Sequence, residues 1–105
     1  MTEIYIVTSM FATHEDARSV AHALIEQRLA ACVNIHGGIT SVYRWQGAVQ
    51  QEQEVMLSAK TTKERCQAAI DAIKRLHPYD LPSIIAQPVS DGSAPFLAWV
   101  AEETT

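Results

Sequence analysis

The sequence predicts an α+β fold: an antiparallel sheet with two helices packed on one face. Three observations carry this. Strand-like and helical segments follow in the order β-α-β-β-α-β. The two consecutive strands are joined across a tight-turn signal, Gln46-Gly47. No linker, repeat or low-complexity stretch interrupts the 105 residues. This order is the split-βαβ, ferredoxin-like pattern, and right-handed crossovers then put both helices on the same side of the sheet. One domain spanning residues 1–105 fits the length.

The elements are justified in turn. Glu3 to Ser9 is rich in β-formers (Ile4, Tyr5, Ile6, Val7) and predicts a central strand buried on both faces. Thr13, with Asp16 three residues on, is a capping box that opens a helix over 14–29, in which Ala17, Val20, Ala21, Leu24 and Ile25 keep helical spacing. Ala31 to Ile35 reads as strand, Gly37-Gly38 as a bulge or bend, and Ile39 to Trp45 as its continuation. From Gln51 to Thr61 the chain returns, with Val55, Leu57 and Ala59 on one side and Glu54, Met56, Ser58 and Lys60 on the other. Thr61-Thr62-Lys63-Glu64 predicts a second capping box, and Cys66, Ala69, Ile70, Ile73 and Leu76 the buried stripe of a second helix that Pro78 stops. Ser83 to Val89 is a last strand with Pro82 and Pro88 at its margins. After the Asp91-Gly92 turn, Ser93 caps a short terminal helix with Phe96, Trp99 and Val100 on one face, and the last four residues are expected to fray.

Composition narrows the function. Eight Lys+Arg against twelve Asp+Glu give a net charge of −4, with no basic stripe, which excludes a general nucleic-acid binder. No apolar run reaches the length of a membrane span, and the start has no basic n-region, so a cytoplasmic location is expected. Cys32 and Cys66 lie far apart and are expected as buried, reduced thiols. There is no Gly-x-Ser-x-Gly, no Walker loop and no local nucleophile–base signature, so an enzyme is not expected and no organic cofactor is evident.

The hairpin asks for a partner. Cys32 to Trp45 would span about 46 Å fully extended, whereas a domain of this length is only about 30–35 Å across. Its outer part carries Val42, Tyr43, Trp45 and Val49. A lone two-stranded ribbon is marginal in water and its edges invite pairing, so either it curls onto its own sheet or another subunit covers it. Tyr43 and Trp45 are the expected interface aromatics.

The segments Leu29–Ile35 (LAACVNI), Thr40–Gly47 (TSVYRWQG), Glu54–Thr62 (EVMLSAKTT) and Leu76–Val89 (LHPYDLPSIIAQPV), with the terminal Phe96-Leu97-Ala98-Trp99, resemble the CutA family of divalent-cation tolerance proteins. The resemblance implies a ferredoxin-like subunit in a tight homotrimer held by sheet edges and long hairpins. It also implies an association with tolerance to copper and other divalent ions.

Candidate site residues follow. His77, at the end of the second helix, is the expected ligand for copper or another divalent metal. Its reading beside this is structural, on the last carbonyls of its helix. Metal-binding relatives place a histidine just before it and a thiol near the end of strand 1, where this chain has Leu76 and Thr8. His14, His22 and His36 are isolated and read as structural or solvated. Glu52 and Glu54 share a strand face, and with Asp80 are further carboxylate donors. Cys32, Glu54, Lys60 and Tyr79 are expected around an inter-subunit cleft. By fold analogy alone, such a cleft also suggests a signalling module resembling PII-type trimers, which bind small molecules between subunits. An unrecognised enzyme using Cys32, Glu54 and Lys60 is the third reading.

Overall fold

The computed structural model of the chain describes residues 2–105. In chain order the elements are β1 (Ile4–Phe11), α1 (His14–Glu26), β2 (Cys32–Trp45), β3 (Ala48–Thr62), α2 (Lys63–Leu76), β4 (Ile84–Pro88) and α3 (Ala94–Glu103). The strands form one antiparallel sheet in the order β2-β3-β1-β4, as the ferredoxin-like pattern requires. Val7 and Phe11 of β1 and Val55, Leu57 and Ala59 of β3 face α1 and α2. There they pack with Ala17, Val20, Ala21 and Leu24 of α1 and Ala69, Ala72 and Ile73 of α2 in one core. α3 contacts β3 and β1 and buries Val100.

Several boundaries differ from the sequence reading, each for a physical reason. β1 runs on to Phe11, because Met10 and Phe11 continue the pairing with Met56 and Val55. Its second face, carrying Ile6, Thr8 and Met10, is only half-buried in the single subunit, so β1 is central without being covered on both sides. α1 ends at Glu26 rather than 29: Arg28 adopts a left-handed φ of 58°, its N–H reaches the Ile25 carbonyl (3.1 Å), and Leu29 N–H reaches Leu24 (2.9 Å). This is a Schellman ending built without glycine, closed by Leu29 and Leu24, both buried. Ile25 and Leu76, expected in buried stripes, are exposed, and both thiols are free and half-buried rather than buried.

The two capping boxes fare differently. Asp16 N–H donates to Thr13 Oγ1 at 3.1 Å, so the first cap forms. Thr62 makes no side-chain cap bond. It still belongs to the sheet, paired with Ile4, and the adjacent Lys63 N–H is taken by the Glu3 carbonyl at 2.9 Å. The sheet thus serves the start of α2.

The chain end is held where fraying was expected. Thr104 is buried, its hydroxyl donates to the Val100 carbonyl (2.9 Å), and its own carbonyl accepts from Arg65 Nε (2.8 Å). Arg28 Nε donates to the Thr105 carbonyl at 3.0 Å. Removing Thr104 and Thr105 should therefore cost about 1–3 kcal/mol, since hydrogen bonds from a charged donor are the stronger ones. A urea midpoint equal to that of the intact chain would show that the end adds nothing.

The hairpin overhangs. The molecule is 45 × 26 × 22 Å, and Val42 and Val49 near the tip are 63% and 65% exposed, so the ribbon does not curl back onto its own sheet. Gln46 and Gly47 turn it with positive φ at both positions (49° and 83°), the two-residue turn whose twist suits a hairpin. The bulge lies at Gly37-Gly38: the register passes from His36↔Met56 to Ile39↔Glu54, so these two glycines oppose the single Val55, with Gly38 at φ 75°.

Candidate functional site

The bulge decides which side chains meet. Before it, even-numbered residues of β2 (Cys32, Asn34, His36) share the sheet face opposite the helices with Lys60, Ser58 and Met56. One extra residue inverts the alternation. Beyond it the odd-numbered Ile39, Ser41, Tyr43 and Trp45 take that face, beside Gln50, Glu52 and Glu54 of β3. The segment after α2 then rounds the end of β1 and brings His77, Tyr79 and Asp80 to the same region.

The result is a cleft of about 820 Å³ that runs from the base of the hairpin towards its tip. Its walls include Met10, Tyr43, Trp45, Glu52, Glu54, Tyr79, Asp80 and Leu81. Two tyrosine–carboxylate pairs organise it: Tyr43 Oη donates to Glu52 Oε1 and Tyr79 Oη to Glu54 Oε2, both at 3.0 Å. Burial and the bond to Glu54 push the Tyr79 phenol far above its ordinary pKa, so it stays a donor at neutral pH. Tyr43 is raised as well, chiefly by its hydrogen bond to Glu52.

His77 is buried, 8% exposed, and packs against Tyr79, one of the cleft's walls. Its Nδ1 accepts the Tyr79 N–H (3.2 Å), which leaves the proton on Nε2, and Nε2 donates to the Met10 carbonyl at 2.7 Å. The ring stacks on Phe11 with centroids 4.1 Å apart and 14° between planes. Both ring nitrogens are thus engaged inside the subunit. The bonds go to β1 and the following loop, not to the last carbonyls of α2. A metal would reach Nδ1 only by displacing the Tyr79 N–H, and among the described residues no three His, Cys, Asp or Glu side chains converge on one point as a metal site.

Burial lowers the His77 pKa, against the opposing influence of the Met10 carbonyl and the charges of Asp16 and Glu54. The folded chain therefore resists a proton that the unfolded chain accepts near pH 6.5. Below that value the unfolded state binds more protons, so this contribution to stability is lost as pH falls towards the depressed folded pKa. Between about pH 7.5 and about pH 5.5 the native chain should lose more stability than His77→Gln, measured by urea midpoints. Equal losses would place the acid sensitivity elsewhere.

The expected cleft residues divide. Glu54 and Tyr79 come together. Cys32 and Lys60 face each other across β2 and β3, where Lys60 Nζ donates to Asn34 Oδ1 at 2.7 Å. They lie six residues along β3 from Glu54, roughly 20 Å away, so one subunit does not join the two pairs. Met10 and Phe11 were not legible as site residues, because Ser9 breaks the apolar run; the period-two spacing Val7-Ser9-Phe11 was the available signal. A second hollow, about 450 Å³, lies at the start of α2, but its basic member, Arg65, is spent on the Thr104 carbonyl.

The family model of the CutA1 divalent ion tolerance protein matches residues 5–103. The chain belongs to the CutA1 family. The divalent-cation tolerance protein CutA of Thermus thermophilus is 45% identical over 104 residues, 99% of each chain. Protein CutA of Homo sapiens is 41% identical over 88 residues, 84% of this chain and 49% of that protein. Thus this CutA1 chain spans nearly all of the bacterial relative and about half the length of the human one. A solved CutA1 structure from Ehrlichia chaffeensis superposes with a TM-score of 0.94 at 35% identity, over 100% of this chain and 98% of that one. The Thermus thermophilus structure gives 0.89 at 45% identity, over the whole of both chains. The CutA1 name is that of a tolerance protein rather than of an enzyme. A relative from Archaeoglobus fulgidus is called periplasmic and one from Arabidopsis thaliana chloroplastic. Among the described residues, no helix is long and apolar enough to cross a membrane.

Proposed function

We propose that this chain serves divalent-metal tolerance as a cytoplasmic homotrimer that engages copper or another divalent ion weakly and catalyses no reaction. The observation that carries the reading is the match to the CutA1 divalent ion tolerance family over residues 5–103. Weak rather than tight binding suits the donors: carboxylates that each already accept a tyrosine proton, and an imidazole with both nitrogens occupied. A tight site usually needs three or four converging protein ligands. The trimer is supported by the overhanging hairpin and by the half-exposed face of β1. Calorimetry with Cu(II) should show weak binding that is weaker still in His77→Ala and at acid pH, because protonation removes the ligand lone pair. Equal affinity in both proteins would remove His77 as a ligand, and no heat with any divalent metal would end the metal-binding reading.

The cleft favours a second reading, a PII-like module that holds a small molecule. Its volume of about 820 Å³ lies in the range of small-molecule sites and far exceeds a single ion.

A further inference from the structure

We propose that the bare face of the sheet carries a site for a soft monovalent metal ion of the Cu(I) and Ag(I) class, held by Met10, Met56 and His36. The register sets these side chains abreast on adjacent strands: Met10 of β1 pairs with Met56 of β3, and Met56 pairs in turn with His36 of β2. Alternation along each strand turns all of them to the face opposite the helices. Directly opposed side chains have Cβ atoms about 4.5–5.5 Å apart, so Met10 and His36 flank Met56 within reach of one ion seated above it. Methionine is unbranched and freely rotating, which lets both sulfurs close on such an ion. The methionines are half-buried and His36 is exposed. The pairing of β4 with β1 ends at Ser9, so no strand crowds the outer side of Met10, and the Gly37-Gly38 bulge begins just beyond His36.

The donor set chooses the ion. Thioether sulfur is soft and selects Cu(I), and imidazole suits copper as well. Zn(II) takes thiolate, imidazole and carboxylate ligands, and would find a single imidazole on this rung. Cys32 lies four residues from His36 along β2, about 13 Å away, and does not complete the set. These donors are neutral, and the half-buried Glu54, the next residue of β3 on the same face, supplies a carboxylate near the ion's charge. The site shares no donor with the weak divalent binding proposed above. All its donors come from one subunit; in the proposed trimer, a neighbour over this face of β1 would shield the ion from water rather than complete its ligands. Methionines side by side on a sheet also pack as plain apolar groups, so the test reads the sulfurs and the ring directly.

The test titrates Ag(I), a redox-stable stand-in, into the intact chain carrying methyl-labelled methionine, followed by NMR. Cu(I) affinity is then measured anaerobically against the chelator bicinchoninate. The Met10 and Met56 methyl signals and the His36 ring signals should shift together, whereas Zn(II) should leave the methyl signals unmoved. Thiols also take these ions, so the same shifts should persist in the Cys32→Ser/Cys66→Ser variant. Met10→Leu and Met56→Leu, which nearly conserve volume, should each weaken Cu(I) by at least about tenfold. Methyl signals of the native chain that stay unmoved under saturating Ag(I) would overturn the proposal without recourse to any variant. Shifts lost with the thiols, while the circular dichroism stays native, would overturn it in favour of a cysteine site. Equal shifts with Zn(II) would overturn the assignment to a soft ion, and Cu(I) affinity unchanged in both leucine variants would remove the thioethers as ligands.

Discussion

Phe11→Ala should lower the stability of the chain by about 3–5 kcal/mol, a large share of the roughly 5–15 kcal/mol available to a domain. Phe11 is fully buried at the end of β1, in the core shared by α1, α2 and the sheet. Truncation removes a large apolar group and leaves a cavity that neighbours on several elements cannot all move to fill. It also removes the ring against which His77 stacks at 4.1 Å. The substitution should therefore do more than lower the urea midpoint. Water should enter beside the imidazole, relieve the desolvation that depresses its pKa, and flatten the acid dependence of stability between neutral pH and about pH 5.5. Measurements belong at one fixed protein concentration, because assembly makes apparent stability concentration-dependent. A loss below about 1 kcal/mol would mean that the site collapses around the missing ring and that Phe11 is not a keystone of the core.

Trp45→Ala should weaken the proposed trimer by about 2 kcal/mol or more, the scale of a large aromatic anchor. Trp45 and Tyr43 are 41% and 39% exposed on a ribbon that projects from its own core, and Trp45 stands next to the turn. Nothing in the single subunit covers this part of the hairpin as Phe11 is covered. If a neighbouring subunit does, the substitution removes contact at the point of greatest reach. Light scattering across a dilution series should then show the variant losing mass at concentrations where the native chain holds it. Because folding and assembly are coupled in such a case, the melting temperature should fall with it. An unchanged mass and melting temperature would place Trp45 outside the interface. A monomer mass for the native chain at micromolar concentration would end the trimer reading itself.

Much of the fold was legible because it is written in local periodicities. The helices show apolar residues at helical spacing, and β3 shows strict alternation from Glu54 to Lys60. The ferredoxin-like order follows from those elements taken in sequence, whereas the family likeness rests on the matching segments themselves, such as Leu29–Ile35 and Leu76–Val89. The errors cluster at ends. α1 stops at a left-handed arginine, where a glycine would have announced the stop. Thr62 spells a cap but is claimed by the sheet, and the terminal threonines are held by Arg28 and Arg65, 77 and 39 residues away. No local pattern reports a partner that distant.

The candidate site was legible only in part. Tyr79, Glu54, Tyr43 and Trp45 were each singled out, but as members of different groups; Cys32 and Lys60, expected with Glu54 around a cleft between subunits, lie farther along the strand from it within one subunit. His77 was singled out as a ligand or as a structural group on the last carbonyls of its helix; in the subunit its ring ties Met10 of β1 to the loop after α2.

By itself the sequence determined the order of elements, the sides of its helices and of β3, and the presence of a glycine pair able to bulge. The tertiary structure alone decided that Gly37 and Gly38 oppose one residue, Val55. Side chains alternate along a strand with a period of two, so a single extra residue turns everything beyond it to the other face. That shift sets Tyr43 and Trp45 beside Glu52 and Glu54, and the cleft exists because of it. Whether a glycine pair bulges or simply bends depends on pairing with a distant strand, and that pairing is a property of the folded sheet rather than of the residues in line.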